Sequence, residues 1–222
     1  QKSDGVVDRE WVETEWTLKR AVCTRRFWWL LLSFATGLYC WYAVQVHQTR
    51  FLIEVGIDAT VAALALGLVG LTGIGGQIVI GHFSDRAGRE WGWTVSLVGY
   101  LFTYLLLLAL QQWPSVWLMY LMVGAQGFLG YGLAAVYGSI PAELFGGRRY
   151  GIIFGVMGAA SGCGAAFGPW ATGLFFDIWG SYQQAFAIAG VVSLISIAAM
   201  WIAAPRKVRL VAGRIPKEAT GG

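Results

Sequence analysis

Charged side chains are scarce in this chain. Asp, Glu, Lys and Arg make up 13% of its 222 residues, whereas soluble domains carry about 25%. Hydrophobic residues make up 57%, and the mean hydropathy is +0.59. The 16 Lys and Arg residues are confined to short segments between long uncharged runs, a pattern typical of membrane topology and not of a phosphate-binding face. The composition therefore excludes a soluble globular enzyme, a disordered chain and a nucleic-acid-binding module.

Cysteine and histidine are equally sparse. The three cysteines lie far apart, so neither a disulfide framework nor a metal-ligand spacing follows. The two histidines, His47 and His82, are expected on opposite sides of a membrane. The sequence contains no evident Asp/Glu/His cluster and no serine with a plausible base beside it. We therefore expect no enzymatic activity, no metal and no cofactor.

Uncharged runs predict six membrane-spanning helices. Each span needs about 20 apolar residues, so the longest run, 91–142, must hold two spans. They meet near Pro114, because proline interrupts helices. Continuous runs rich in Leu, Ala and Gly favour helices over the alternating strands of a membrane barrel. The predicted spans, numbered first to sixth, are about 27–47, 59–81, 91–110, 116–140, 151–175 and 184–204.

Basic residues fall almost entirely on one side of these spans. Six precede the first span, two lie between the second and third, two between the fourth and fifth, and five follow the sixth. Only Arg50 lies on the opposite side. Because Lys and Arg concentrate in cytoplasmic loops, we predict a multi-pass protein of the cell membrane with both termini in the cytoplasm.

Two segments flank the predicted membrane domain of residues 27–205. In residues 1–26, apolar side chains such as Trp11 and Trp16 favour an amphipathic helix on the cytoplasmic surface, but Glu15 and Lys19 interrupt its apolar face. A surface helix and an ordinary charged linker are equally good interpretations of this segment. Residues 206–222 are predicted to form a basic cytoplasmic tail.

The loop between the second and third spans reads G-H-F-S-D-R-A-G-R from Gly81. Gly81 allows two helices to approach closely, and Gly88 permits a tight turn. Asp85 can accept hydrogen bonds from an arginine or a helix N-terminus. Arg86 and Arg89 hold the loop on the cytoplasmic side. Such a charge cluster can latch two helical bundles in one state and release them in another, so these five residues form a candidate gating motif.

A second charged junction follows the fourth span. It reads P-A-E-L-F-G-G-R-R-Y-G from Pro141 to Gly151. We expect Glu143 to form an ion pair with Arg148 or Arg149. These three residues make up the predicted cytoplasmic charge network.

Both loops resemble those of the major facilitator superfamily. The pattern G-x-x-x-D-R-x-G-R is the signature loop of that family, and the P-x-E…R-x-G junction is similar to the element between its tenth and eleventh helices. The resemblance covers about residues 11–210. The stretch A-E-L-F-G-G-R-R-Y-G and the Val46-His47 pair look most like the monocarboxylate and oxalate–formate branch.

The resemblance implies a fold and a function. The six spans would be the last six helices of a twelve-helix fold, arranged as two inverted three-helix repeats. An N-terminal six-helix half, absent from this chain, would be the partner across a central cavity. The implied function is secondary active transport of a small solute through the bilayer by alternating access. The alternative is a six-span channel or scaffold that works as a homo-oligomer, although no filter-like loop is evident.

Polar side chains within the spans are candidates for lining the cavity. They are Tyr39, Tyr42, Gln77, Gln126, Tyr137 and Ser161. Helical spacing places Tyr39 and Tyr42 on one face of the first span, and Gln126 and Tyr137 on one face of the fourth. Such groups either line a cavity or hydrogen-bond to neighbouring helices.

Gln77 bears on the choice of solute. It lies on a glycine-lined face of the second span, one turn before Gly81. In the branch that the chain resembles, this position is commonly Arg, which pairs with a substrate carboxylate. Glutamine forms hydrogen bonds but has no charge, and the fifth span offers Ser161 where that branch has a basic residue. We therefore expect a small organic acid whose cationic partner lies in the missing half, or a more neutral solute.

Overall fold

The computed structural model describes residues 5–215 and consists mainly of long helices. Six are long and apolar enough to cross a membrane. They are Arg25–Glu54, Ala59–Ala87, Arg89–Gln112, Val116–Phe145, Tyr150–Trp179 and Gln183–Lys207. Among residues 5–215 the only β pairing is an isolated bridge, which confirms the predicted all-helical fold class. Residues 1–4 and 216–222, including Lys2 and Lys217 of the predicted basic flanks, lie outside the described residues.

The helices begin and end at residues with clear local roles. Asp58 accepts hydrogen bonds from the backbone N–H groups of Thr60 and Val61, at 2.9 and 3.2 Å, and so starts the second helix. Gly88 separates the second helix from the third, and its φ of 124° lies in a region that favours glycine. The side of the bundle that holds both termini is called the terminal side below, and the opposite side the far side.

The fourth helix is not a regular α-helix. Its α-helical segment Val116–Gly124 passes into a π-helical turn at Ala125–Gly130, and α-helix resumes at Gly132. The turn packs against the second helix, where the position of a Cβ on Gly76 overlaps the carbonyl oxygen of Phe128. Only glycine allows this contact, so Gly76 and the widened turn fit each other.

The six helices form two triplets with matching contacts. The first helix packs on the fifth and sixth, and the fourth packs on the second and third. If the triplets are helices one to three and helices four to six, the first helix of each triplet therefore contacts the second and third helices of the other. The third and sixth helices also pack together. This exchange symmetry is the arrangement of two inverted three-helix repeats.

Close contacts at glycines show the same symmetry between the two triplets. Gly76 of the second helix approaches the backbone of the fourth, and Gly164 of the fifth approaches the carbonyl of Ala35 in the first. A Cβ at either glycine would overlap a backbone oxygen, which cannot move aside as a side chain can. Backbone approach through small residues is how membrane helices pack tightly.

The second and fifth helices are the least covered by the rest of the bundle. Only 28% and 22% of their most apolar windows are buried, against 44–56% in the other four helices. Each exposes a row of glycines where an added Cβ would meet no atom within 4 Å, including Gly67 and Gly70 in the second and Gly155 and Gly162 in the fifth. These open faces occupy equivalent positions in the two repeats.

The segment before the first helix folds onto the terminal side of the bundle. It contains two short helices, Arg9–Glu13 and Leu18–Val22. Trp16 is buried against Phe145 with ring centroids 5.1 Å apart, and Trp11 Nε1 donates to the carbonyl of Leu144 at 2.7 Å. The tail joins the same layer, because the N–H groups of Val7 and Asp8 both donate to the carbonyl of Val208. Residues 5–24 of the segment and 206–215 of the tail thus form one cap over the terminal side.

Candidate functional site

Arg89 is the centre of the charge network on the terminal side. Its Nε donates to Glu143 Oε1 at 2.7 Å, one of its terminal nitrogens donates to Ser84 Oγ at 2.7 Å, and it also pairs with Asp85. One planar guanidinium thereby joins the second, third and fourth helices, an arrangement that lysine cannot reproduce. The Arg89 and Glu143 side chains are only 15% and 16% exposed, so the pair is largely shielded from water.

The partner of Glu143 differs from the expected one. Arg148 and Arg149 are exposed in the loop before the fifth helix, and Gly147 turns that loop with a φ of 141°. The third and fourth helices pack together, which brings Arg89 to Glu143 across 54 positions of sequence. Helix packing, not proximity in sequence, sets this ion pair.

The other residues of the gating motif have separate contacts. A Cβ on Gly81 would lie 3.4 Å from the Ala135 side chain, so this glycine marks a close approach of the second and fourth helices. Arg86 is exposed, and its backbone touches Gly213 of the tail. The cap therefore packs directly on the loop that holds the motif.

Glu90 is a member of this network that the sequence interpretation missed. It is 2% exposed and accepts from the backbone N–H of Arg206 at 2.8 Å. The Arg206 guanidinium lies 3.5 Å away. Its place beside the charged motif, at the start of the third span, was the available signal, but its partner lies 116 positions away in sequence.

Three polar side chains meet on the first and fourth helices, inside the membrane-spanning region. Gln45 Oε1 accepts from Tyr131 Oη at 2.9 Å and from Gln126 Nε2 at 3.3 Å. We call Gln45, Gln126 and Tyr131 the glutamine cluster. Gln45 and Gln126 lie about 8 Å and about 7 Å from the midpoints of their helices, at 1.5 Å rise per residue, both towards the far side. Only Gln126 was a sequence candidate, and Gln45 is brought to it from 81 positions away.

Aromatic side chains surround the glutamine cluster. The ring of Trp41 lies 4.8 Å from that of Tyr131 and 6.1 Å from that of Tyr42. Tyr42 is 42% exposed, whereas Tyr100 is fully buried behind Trp41 and touches Gly130 of the π turn. Among the described residues, neither the Tyr100 hydroxyl nor Gln126 Oε1 has a hydrogen-bond partner. The cluster therefore combines an aromatic rim with unpaired polar atoms at its floor.

Tyr137 and Ser161 form a second polar pair. Their hydroxyls lie 2.6 Å apart and join the fourth helix to the fifth. Ser161 also donates to the carbonyl of Met157, and Tyr137 packs on Phe34 with ring centroids 4.4 Å apart. The pair lies on the terminal side of both helix midpoints, away from the glutamine cluster.

The π turn places Gln126 and Tyr137 on different faces of the fourth helix. Their spacing of eleven residues places them on one face of a regular α-helix. The π turn at Ala125–Gly130 adds about one residue and shifts the phase by about 100°. The two candidates consequently belong to different polar groups.

Tyr39 and Gln77 stand apart from both groups. Tyr39 is buried and borders an apolar cavity of about 420 Å³ between the first, fifth and sixth helices. Gln77 is half-buried on the second helix, one residue after Gly76, and forms no hydrogen bond with another described residue. The structure thus pairs Gln126 with Gln45 and Tyr137 with Ser161, and leaves Gln77 without a polar contact in the described chain.

His47 joins three helices near the far side. Its Nε2 donates to the carbonyl of Pro169 at 2.9 Å, and its Nδ1 lies 3.3 Å from the Tyr182 hydroxyl. Burial, with the nearby Glu54 carboxylate, raises the pKa of Tyr182, so its hydroxyl keeps its proton beside Nδ1. The imidazole is therefore a bridge between the first, fifth and sixth helices.

Comparison with known protein families identifies the family to which the chain belongs. A family model described as Major Facilitator Superfamily matches residues 48–220, which is most of the sequence. The chain therefore belongs to the major facilitator superfamily, and with its six apolar helices it is a multi-pass membrane protein. The family consists of transporters, so the general function is transmembrane transport. The comparison with curated proteins gives no significant match, and neither comparison supports the monocarboxylate and oxalate–formate branch.

Proposed function

We propose that this chain is the C-terminal half of a secondary transporter that moves a small solute by alternating access. The observation that supports this proposal best is the pair of open glycine faces on the second and fifth helices. They occupy equivalent places in the two repeats, and their glycines lack neighbours within 4 Å. A six-helix N-terminal half packing across both faces would enclose a cavity against the first and fourth helices.

The charge network would act as the latch between the two halves. Asp85 is 52% exposed and already in contact with Arg89, so it can exchange partners without leaving a buried charge unpaired. The network lies at the terminal side, which we propose to be cytoplasmic from the distribution of Lys and Arg. At that place it would control exchange between states and would not touch the solute.

The solute we propose is a small organic acid or a more neutral molecule. The ground for the acid is the resemblance of the stretch A-E-L-F-G-G-R-R-Y-G to the carboxylate branch, to which the family comparison does not extend. The glutamine in place of the usual arginine at Gln77, with no charged side chain deep in the spans, favours the neutral solute. In the first case the cation that binds the carboxylate would come from the other half.

Uptake by reconstituted protein tests the proposal. The chain alone and the chain with a six-helix half encoded upstream would be placed in liposomes and supplied with labelled lactate, oxalate, formate or lactamide. Saturable uptake is expected only when both halves are present. Saturable uptake by the chain alone, together with a defined oligomer in light scattering, would instead support the homo-oligomeric channel or scaffold.

A further inference from the structure

Polar groups in the glutamine cluster are costly in a membrane and incompletely satisfied. A buried donor or acceptor without a partner costs about 1–3 kcal/mol, and no lipid group can supply the missing bond at this depth. Gln126 is 0% exposed and its Oε1 has no partner among residues 5–215. The buried Tyr100 hydroxyl also has no hydrogen-bond partner among these residues. These are the groups that a bound molecule would complete.

The hydrogen bonds within the cluster fix which polar atoms are left free. Gln45 Oε1 already accepts from Tyr131 and Gln126, so the Gln45 amide must turn its NH2 away from both. Gln126 uses its NH2 on Gln45, so its Oε1 is the free atom. The cluster therefore offers one free donor group, on Gln45, and one free acceptor, on Gln126.

The residues around this pair of atoms range from exposed to fully buried. Gln45 and Trp41 are half-buried and Tyr42 is exposed, whereas Gln126 is fully buried. The floor is the π turn, and such turns occur often at functional sites. A solute entering beside Trp41 and Tyr42 would meet the Gln45 amide first and Gln126 beneath it.

From this geometry we propose that the glutamine cluster binds the transported solute and selects a neutral molecule that carries both a hydrogen-bond donor and an acceptor, such as a hydroxy-amide. An anionic carboxylate offers acceptors only. The carboxylate group can accept from Gln45, but it cannot donate to Gln126 Oε1, and it places a negative charge beside that atom without a cation. The inference rests on the proposed transport function and names the solute class for it.

Lactamide and lactate are suitable probes because they share a shape and a hydroxyl group and differ only where an amide replaces the carboxylate, so the comparison tests the charge and the amide donor. The purified chain in lipid nanodiscs would be titrated with each compound, and binding followed by the shift in melting temperature and by tryptophan fluorescence. Lactamide is expected to stabilise the chain with saturation, and lactate to have at least tenfold weaker affinity.

Three variants test the assignment to the cluster. Gln126→Leu is expected to abolish the response to lactamide, while Gln112→Leu, at the exposed end of the third helix, keeps it. Tyr131→Phe removes the hydroxyl that orients Gln45, so the preference for lactamide over lactate should fall while the melting temperature without ligand changes little. That change of selectivity would not follow if the cluster only held helices together.

Three results of these titrations would contradict the assignment of the solute to the glutamine cluster. Equal or tighter binding of lactate, no response to either probe, or a lactamide response unchanged in a folded Gln126→Leu variant would overturn the inference. Transport by the two halves with a preference for carboxylates would leave the proposed function intact and refute the solute class. Binding of lactamide through Gln126, with no transport by the two halves together, would support the solute class and refute the proposed transport function.

Discussion

At the scale of residues, Arg89 joins three helices through one guanidinium group. It bonds to Ser84, Asp85 and Glu143 from a position that is 15% exposed. Loss of one member of a shielded ion pair leaves the other without compensation, which typically costs about 3–5 kcal/mol. Removal of both charges costs much less.

Arg89→Gln is therefore expected to destabilise the purified chain by about 3–5 kcal/mol, because Glu143 would be left nearly buried without its partner. The double variant Arg89→Gln, Glu143→Gln should recover much of that loss. Unfolding in detergent measures both effects. Arg50→Gln is the matched control, since the Arg50 side chain that pairs with Glu54 is 71% exposed. An equal loss in this control would contradict the special role of Arg89.

Asp85 is expected to affect rate more than stability. Its side chain is half exposed, and surface ion pairs contribute about 0–1 kcal/mol. In the complete transporter, Asp85→Asn should slow turnover and leave the affinity for solute nearly unchanged, because the latch lies far from the glutamine cluster. Uptake kinetics and equilibrium binding separate the two quantities. A loss of affinity with normal turnover would assign Asp85 to solute contact instead.

At the scale of elements, two glycines only two positions apart on the fifth helix have opposite surroundings. Gly164 lies against the backbone of Ala35, whereas Gly162 faces open space. Gly164→Ala is expected to destabilise the chain by about 1–3 kcal/mol, since the first and fifth helices must separate. Gly162→Ala should be neutral or slightly stabilising, because alanine favours helix. Unfolding measurements on the two variants check the contrast.

Gly162 also reports on the proposed partner. Gly162→Leu should change the stability of the isolated chain little, because a Cβ at this position points into open space away from the other helices. If the other half packs on this face, the same change should reduce uptake by the complete transporter. Normal uptake by that variant would show that the face remains in contact with lipid.

The elements differ in how far the sequence could predict them. Six helices follow from uncharged runs, because the bilayer requires long apolar segments with internal hydrogen bonds. The π turn did not follow, because it depends on the contact of Phe128 with Gly76 of another helix. The same limit applies to the site: Gln126 stood out as polar, but its bond to Gln45 depends on how the first and fourth helices pack.

At the scale of the whole molecule, the predicted topology places both termini in the cytoplasm. Reporter domains fused after Gly88 and Gly147 should therefore be cytoplasmic, and one fused after Pro114 should lie outside. The expected pattern follows from the excess of Lys and Arg on the terminal side. A reporter found outside after Gly88 would invert the whole arrangement.

Uptake into proteoliposomes is the measurement that tests the central claim most directly. The chain alone, the upstream six-helix half alone and the two together would be compared under identical lipid and solute conditions. If the chain is one half of an alternating-access transporter, only the combination should give saturable uptake, and Gly162→Leu should diminish it. Saturable uptake by this chain alone, unaffected by Gly162→Leu, would contradict the account.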